Sequence, residues 1–184
     1  MYTKTLAAGI IMLSTAVSAT SVFAAQQNSI RFKGEVLSQT CNISINDSTA
    51  AAPIILLPSA KVSDLSAANK TSSPTTFSMK LTGCTQPTSS AEEIKVRFVS
   101  NNVDTNGNLK NIATSSPADN VAIQLLDPDS QAINLSSGEA VAKGFTLPTG
   151  ATSAEAQYTA QYIATGAATA GNVEASVQYS IDYQ

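Results

Sequence analysis

The stretch that decides the fold is VEASVQYSIDYQ, which runs from Val173 to Gln184. Apolar or aromatic residues alternate with polar ones along it, at Val173, Ala175, Val177, Tyr179, Ile181 and Tyr183. A period of two predicts a β-strand with one apolar and one polar face. Because residues near a chain end usually pack loosely, a strand this regular raises the question of what covers its free edge and its apolar face.

Most of the other readable segments are also strand-like. Alternating patterns predict strands at 29–37, 75–84, 93–100, 120–127 and 155–164. Turn-rich stretches such as NNVDTNGN and ATGAATAGN separate these segments. Two regions, 46–73 and 132–152, have no clear pattern and leave room for a short helix or an irregular loop. Many short alternating strands with frequent turns predict an all-β protein, built as an antiparallel sandwich or barrel.

The first 24 residues have the features of a secretion signal. Lys4 supplies a positive charge, LAAGIIMLSTAVSA supplies an apolar run, and SVFAA supplies small residues for cleavage. We expect cleavage after Ala24, with Ala25 as the alternative. The apolar run is too short to cross about 30 Å of hydrocarbon. The sequence therefore predicts an exported protein with a signal peptide at residues 1–24.

The charge of the remaining chain argues against nucleic acid as a partner. Removing 24 of the 184 residues leaves 160, which suits a single domain. Once Lys4 is removed, nine basic residues face thirteen acidic ones, for a net charge of −4. No block of basic residues is present, and nucleic-acid binding proteins usually carry one.

The composition does not favour an enzyme, a metal site or a cofactor. The chain has no histidine, which excludes a Ser-His-Asp triad and histidine-ligated metals. Glu92 and Glu93 are adjacent on a predicted strand, so their side chains point to opposite faces and cannot form a catalytic pair. DPDSQ at 127–131 is ordinary turn chemistry and lacks the further oxygen ligands of a calcium loop.

The two cysteines, Cys41 and Cys84, are expected to form a disulfide. An even pair in an exported chain favours a bridge over the alternative, a buried pair of free thiols. The bridge would close a loop of 43 residue steps, which the chain-entropy description values at about 4 kcal/mol. That is a large share of the stability of a typical domain.

Several of these motifs together resemble a known family. They are IRFKGEV with Cys41 seven residues after Gly34, LTGC at the second cysteine, VAIQLLD, and the final QYIATGAATAGNVEASVQYSIDYQ. In this combination the chain resembles the subunits of bacterial chaperone–usher pili, and among them the type 1 fimbrial structural pilins. The family pairs a penultimate aromatic residue with a glycine fourteenth from the end, and Tyr183 and Gly171 stand in those places.

The resemblance implies an incomplete immunoglobulin-like sandwich of six strands. The seventh strand is then supplied by another molecule, which fills a groove beside the last strand. A periplasmic chaperone lends a strand first, and at the outer-membrane usher the N-terminal extension of the next subunit replaces it. The underlying physics is β-augmentation, in which the main chain supplies hydrogen bonds and alternate side chains fill pockets.

Site residues follow from the resemblance position by position. Residues 25–37 would be the N-terminal extension and donor strand, and 38–184 the pilin domain. The alternative is that residues 30–36 pair within their own sheet. The residues expected to enter the neighbour's groove are Ile30, Phe32, Gly34 and Val36. Those expected along the groove and at the chaperone are Gly171, Val173, Val177, Tyr179, Ile181, Tyr183 and Gln184, the last through its carboxylate.

The expected function is structural. The resemblance implies a pilin that polymerises with identical or related subunits into an extracellular fimbria that supports cell adhesion. Its partners would be those subunits, the chaperone, the usher and, through the pilus, a host receptor, with no cofactor and no enzymatic activity. Two alternatives remain open at this point: a minor tip, adaptor or terminating subunit, and a monomeric secreted immunoglobulin-like binding module.

Overall fold

The computed structural model describes residues 41–183, and the regular secondary structure within them is almost entirely β-strand. A single 3-10 helix spans Val62–Leu65 in this part of the chain. The strands are β1 (Asn42–Ile45), β2 (Thr71–Thr82), β3 (Glu92–Val99), β4 (Leu109–Lys110), β5 (Val121–Leu126), β6 (Glu139–Leu147), β7 (Ser153–Ala164) and β8 (Gln178–Tyr183). The all-β prediction is confirmed.

The strands form two antiparallel sheets. The first sheet has the order β1-β2-β7-β5-β4, and the second has the order β6-β3-β8. In the second sheet β3 lies in the centre, where Phe98 stands opposite Tyr179 of β8. β8 pairs with β3 alone among the described strands, so it forms one edge of its sheet.

The hydrophobic core lies between the two sheets, and Tyr158 of β7 is at its centre. Its ring stacks on Phe77 at a centroid distance of 5.8 Å and meets the edge of Phe98 at 5.5 Å. The Tyr158 hydroxyl donates a 2.6 Å hydrogen bond to the backbone oxygen of Lys143. Burial raises the pKa of this hydroxyl, because an ionised phenol would lose its hydration there. The contact joins the core to β6.

The structure adds detail in the two regions that had no clear pattern. Region 46–73 contains the 3-10 helix and the start of β2, and region 132–152 contains β6. The ladder between β3 and β6 shifts register between Ile94 and Val96. A Cβ at Gly144 would collide with the backbone oxygen of Ile94, so only glycine fits at this close approach. Because of this register shift, the sequence of β6 does not alternate strictly between apolar and polar residues, and the strand could not be predicted from a period of two.

Eight strands are described where the resemblance implies six. The difference comes from the two short strands, since β1 has four residues and β4 has two. The other six strands each have six residues or more.

The predicted disulfide is confirmed. Cys41 and Cys84 are bonded, with their Cα atoms 4.4 Å apart. They flank one end of the ladder between β1 and β2, in which Asn42 stands opposite Thr82. The bridge therefore fastens the short β1 to the long β2. Ile30, Phe32, Gly34, Val36 and Gln184 lie outside the described residues.

Candidate functional site

The apolar face of the last segment is the part of the core that stays open. Six apolar residues between positions 173 and 183 pack against the core but are only partly buried: Val173, Ala175, Val177, Tyr179, Ile181 and Tyr183. On the neighbouring strand β3, Ile94, Val96 and Phe98 are buried. The apolar residues of the last segment and those of β3 face the same core, so their difference in burial comes from what lies beside each strand. Among residues 41–183, β8 pairs only with β3, so the other edge of β8 has no strand beside it.

A second apolar row lies on the other side of this opening. Ile55 and Leu57 pack against the same core and are also only partly buried. They belong to the segment 53–58, which begins and ends with a proline and is not part of a strand. No backbone hydrogen bond joins residues 54–57 to another described residue. We call the space between 53–58 and 173–183 the open groove.

A hydrogen bond marks one end of the open groove and a pocket marks the other. At one end, the Tyr183 hydroxyl accepts a 3.3 Å hydrogen bond from the backbone N–H of Cys41. At the other end there is an open pocket of about 320 Å³. Ser59, Ala60 and Val62 line this pocket together with residues 171–173. The chain thus runs along one side of the groove from 41 to 60 and returns antiparallel along the other.

Side chains on the outer face of the second sheet hold β8 in place. Arg97 of β3 donates from Nη2 to Oδ2 of Asp182 at 2.7 Å, and its Nη1 lies 3.3 Å from Oε2 of Glu139. The hydrogen bond to Asp182 is the main reason why the pKa of Arg97 is raised above its ordinary value. One guanidinium therefore links all three strands of this sheet. Because the group is partly exposed, solvent screens the ion pairs.

Asn111 holds the segment that leads into β8. Its side-chain nitrogen donates to the backbone oxygen of Asn172 at 2.8 Å, and its oxygen accepts from the backbone N–H of Glu174 at 3.0 Å. The N–H of Ile112 donates to the backbone oxygen of Glu174 at 2.8 Å. Residues 172–174 are therefore fixed from the polar side, which leaves Val173 turned toward the core.

Gly171 has a packing role that the structure makes visible. A Cβ at this position would collide with the backbone of residues 116–118, and Asn172 forms a parallel bridge with Pro117. The backbone of 171–172 must therefore approach another backbone segment closely. Gly171 also lines the pocket at the end of the open groove.

The groove is a hydrophobic surface beside a strand edge. It offers apolar side chains and, at β8, a strand edge without a partner among the described residues. Within residues 41–183 no group of three or more acidic or cysteine side chains could hold a metal ion. No helix in the described part is long and apolar enough to cross a membrane.

Comparison with known proteins agrees with this geometry. The family described as "Fimbrial protein" matches residues 30–184. The chain belongs to the fimbrial protein family. The F17 fimbrial protein of Escherichia coli is 36% identical over 173 residues, which cover 92% of this chain and 94% of the relative. The S-fimbrial protein subunit SfaA of Escherichia coli O6:K15:H31 is 30% identical over 142 residues, which cover 76% of this chain and 75% of the relative.

A solved structure supports the fold of this fimbrial protein. A subunit in a chaperone–usher pilus, whose structure reveals the molecular basis of rod uncoiling, aligns with a TM-score of 0.57 and 19% sequence identity. The alignment covers 86% of this chain and 96% of that subunit. The immunoglobulin-like pilin fold implied by the sequence is therefore confirmed. As a fimbrial subunit, the protein polymerises with other pilin subunits into an extracellular fimbria.

The structure brings together most of the predicted groove residues. Val173, Val177, Tyr179, Ile181 and Tyr183 lie in one row along the groove. Their roles toward a donor strand or a chaperone stay predictions, as do those of the residues outside the described part. Sequence reasoning missed the opposite wall, Ile55 and Leu57, and the anchoring residues Arg97 and Asn111. The prolines around APIILLP were the available signal, because they end strand pairing on both sides.

Proposed function

We propose that this fimbrial protein polymerises by donor-strand exchange. In this proposal, residues 25–37 of one subunit fill the open groove of the next. The observation that carries the proposal is the row of six core-facing residues from Val173 to Tyr183 that is only partly buried. A completed sandwich would bury such a row, as it buries the matching residues of β3. A single added strand would cover it.

The dimensions and the chemistry of the proposed donor strand suit the groove. Ile30 to Val36 spans six residue steps, or about 20 Å when extended, and the ten steps from Val173 to Tyr183 span about 33 Å. The inward positions Ile30, Phe32 and Val36 are apolar. The outward positions between them are charged, and the outward residues of the last segment are polar as well. The inward face of the added strand is therefore apolar like the core, and its outward face is polar like the outer face of the last segment.

Because the apolar row along the groove is exposed in the single subunit, we expect a partner to fill the groove before assembly. An unpaired strand edge beside an open core promotes aggregation. We therefore infer that a periplasmic chaperone lends a strand to the subunit after export, and that the exchange takes place at an outer-membrane usher. The assembled fimbria supports cell adhesion, with a host receptor as a further partner of the whole pilus. The function is structural and needs no catalysis or cofactor.

The proposal is tested with a subunit that lacks residues 25–37, isolated as its complex with the chaperone. A synthetic peptide of residues 25–37 is added, and a peptide of the same composition in scrambled order serves as the control. We expect the native peptide to displace the chaperone and form a 1:1 complex, detected by native mass spectrometry. The scrambled peptide should leave the chaperone in place. Equal displacement by both peptides, or by neither, would contradict donor-strand exchange.

A further inference from the structure

Residues 173–177 continue the line of β8 but have no partner strand. β3 ends at Val99, and β8 begins opposite that residue at Gln178. The residues just before Gln178 are not part of a strand, yet their apolar side chains pack against the core in the same row as those of β8. Contacts other than pairing with β3 must therefore hold this part of the chain in line with β8.

Two polar side chains take the place of the missing strand. Where β3 ends, the hydroxyl group of Ser100 donates a 3.1 Å hydrogen bond to the backbone oxygen of Ser176. Farther along, the side-chain oxygen of Asn111 accepts from the backbone N–H of Glu174 at 3.0 Å, and its nitrogen donates to the backbone oxygen of Asn172 at 2.8 Å. Alternate residues of an extended chain direct their backbone groups to the same side. These contacts therefore lie on the side where β3 pairs with β8.

Peptide geometry directs the neighbouring backbone groups to the free edge. In a trans peptide unit, the C=O of one residue and the N–H of the next point in opposite directions. The oxygen of residue 172 accepts from Asn111, that of 174 from the N–H of Ile112, and that of 176 from Ser100. The N–H groups of residues 173, 175 and 177 therefore point toward the groove. None of the three donates a backbone hydrogen bond to another described residue.

The unpaired edge is consequently longer than β8. β8 has six residues, which span about 17 Å, whereas the chain from Val173 to Tyr183 spans about 33 Å. The proposed donor stretch from Ile30 to Val36 spans about 20 Å. β8 alone is too short to pair with this stretch over its whole length, and the extended edge is long enough.

We infer that Asn111 and Ser100 are positioning residues for strand exchange. By holding the backbone oxygens of 172 and 176 and the N–H of 174, they keep three further N–H groups in line with the edge of β8. This inference rests on the proposed donor-strand exchange, to which it adds the extent of the pairing edge and the side chains that set that extent. Without them, residues 173–177 would leave the extended conformation more readily, and an added strand would pair mainly with β8.

The test measures hydrogen exchange at single backbone amides, by mass spectrometry, in fibres assembled from the full chain. In wild-type fibres we expect the amides of Val173, Ala175 and Val177 to be protected, as is that of Tyr179 in β8. In Asn111→Ala fibres, exchange at Val173 and Ala175 should be at least about tenfold faster, because opening of this segment becomes easier. Exchange at Tyr179 should stay at the wild-type rate.

Gln161→Ala is the matched control. The amide nitrogen of Gln161 donates a hydrogen bond of the same length, 2.8 Å, to Oε1 of Gln124 on the other sheet. Its loss should leave exchange in the last segment unchanged. A general structural role of Asn111 would instead raise exchange at Tyr179 as much as at Val173, and that result would overturn the inference. Unchanged exchange at Val173 in Asn111→Ala would overturn it as well.

Ser100→Ala provides a second variant, which tests the inference even where Asn111→Ala yields no folded subunit. It removes the hydrogen bond to Ser176 and should speed exchange at Val177 while Tyr179 stays protected. Unchanged exchange at Val177 would overturn the assignment of Ser100. Free exchange at Val173 in wild-type fibres, with Tyr179 protected, would overturn the extended edge. Free exchange at Tyr179 as well would show that donor-strand exchange itself does not occur.

Discussion

The hydroxyl group of Tyr183 accepts a 3.3 Å hydrogen bond from the backbone N–H of Cys41. This bond joins the end of β8 to the residue that carries the disulfide to Cys84. It therefore connects the two sheets at one end of the open groove, at the point where the chain from residue 40 enters the described domain. The penultimate aromatic residue thus has a role within the subunit itself, besides any contact with a partner.

Tyr183→Phe should destabilise the subunit modestly. The change keeps the ring and leaves the partly buried Cys41 N–H without this partner, at a cost of about 0.5–1.5 kcal/mol. Urea denaturation of the disulfide-bonded subunit measures the effect. Tyr179→Phe is the control, because the Tyr179 hydroxyl makes no hydrogen bond to another described residue. This change should lower the free energy of unfolding by less than about 0.5 kcal/mol. Equal destabilisation by both changes would show that the Tyr183–Cys41 bond contributes nothing specific.

Cys41→Ser/Cys84→Ser should greatly reduce the amount of subunit in the periplasm. The bridge fastens β1 to β2, and losing it costs about 4 kcal/mol in a sandwich that is already open along one side. Immunoblotting of periplasmic extracts, with and without chaperone overexpression, measures the level. If the double variant accumulates and assembles like the wild type, the disulfide is dispensable.

Gly34→Asn should block assembly but spare the subunit. In the proposed donor strand, residue 34 lies where the neighbouring groove is closest, and an added side chain overpacks it by about 1–3 kcal/mol or more. The measurement is the ratio of assembled fibre to chaperone-bound subunit. Lys33→Asn is the control, because its side chain would face outward and the ratio should stay near that of the wild type. A proportional loss of fibre and subunit in Gly34→Asn would instead indicate that the strand pairs within its own chain.

Deleting Asp182, Tyr183 and Gln184 should abolish the chaperone complex. The deletion removes the ion pair with Arg97, the bond to Cys41 and the carboxylate of Gln184, which is expected to bind a cationic site on the chaperone. Co-purification with a tagged chaperone measures the complex. Asp182→Asn/Tyr183→Phe keeps the chain length and the terminal carboxylate, so this variant should retain most of the binding. Wild-type recovery of the truncated subunit would contradict the prediction.

The subunit should lose stability at alkaline pH, in part through Tyr158. Burial raises the pKa of Tyr158 in the folded protein above its ordinary value of about 10. Above pH 10 the unfolded chain therefore releases a proton that the folded chain keeps, and stability falls by up to about 1.4 kcal/mol per pH unit for this group.

Urea denaturation from about pH 8 to about pH 12, on either side of the ordinary tyrosine pKa of about 10, measures this decline in stability. Tyr158→Phe should be less stable at neutral pH, because it loses the hydrogen bond to Lys143, yet it should show a shallower alkaline decline. An unchanged slope in Tyr158→Phe would show that Tyr158 does not contribute to the alkaline decline.

The sequence by itself determined the fold class, the disulfide and one wall of the groove. Period-two patterns depend only on local geometry, so the strands that contain Phe77, Phe98 and Tyr158 could be predicted along with the alternation from Val173 to Tyr183. The disulfide followed from an even pair of cysteines in an exported chain. Each of these features lies within one segment or depends on residue counts.

Only the tertiary structure decided which apolar rows remain uncovered. Periodicity shows that a strand has an apolar face but not what packs on that face, so Ile94 and Ile181 look alike in the sequence although only Ile94 is buried. The wall formed by Ile55 and Leu57 and the anchoring of β8 by Arg97 depend on residues far apart in the chain. Strand β6 was hidden because a register shift beside Gly144 breaks its alternation. These features come from long-range packing, which local patterns do not encode.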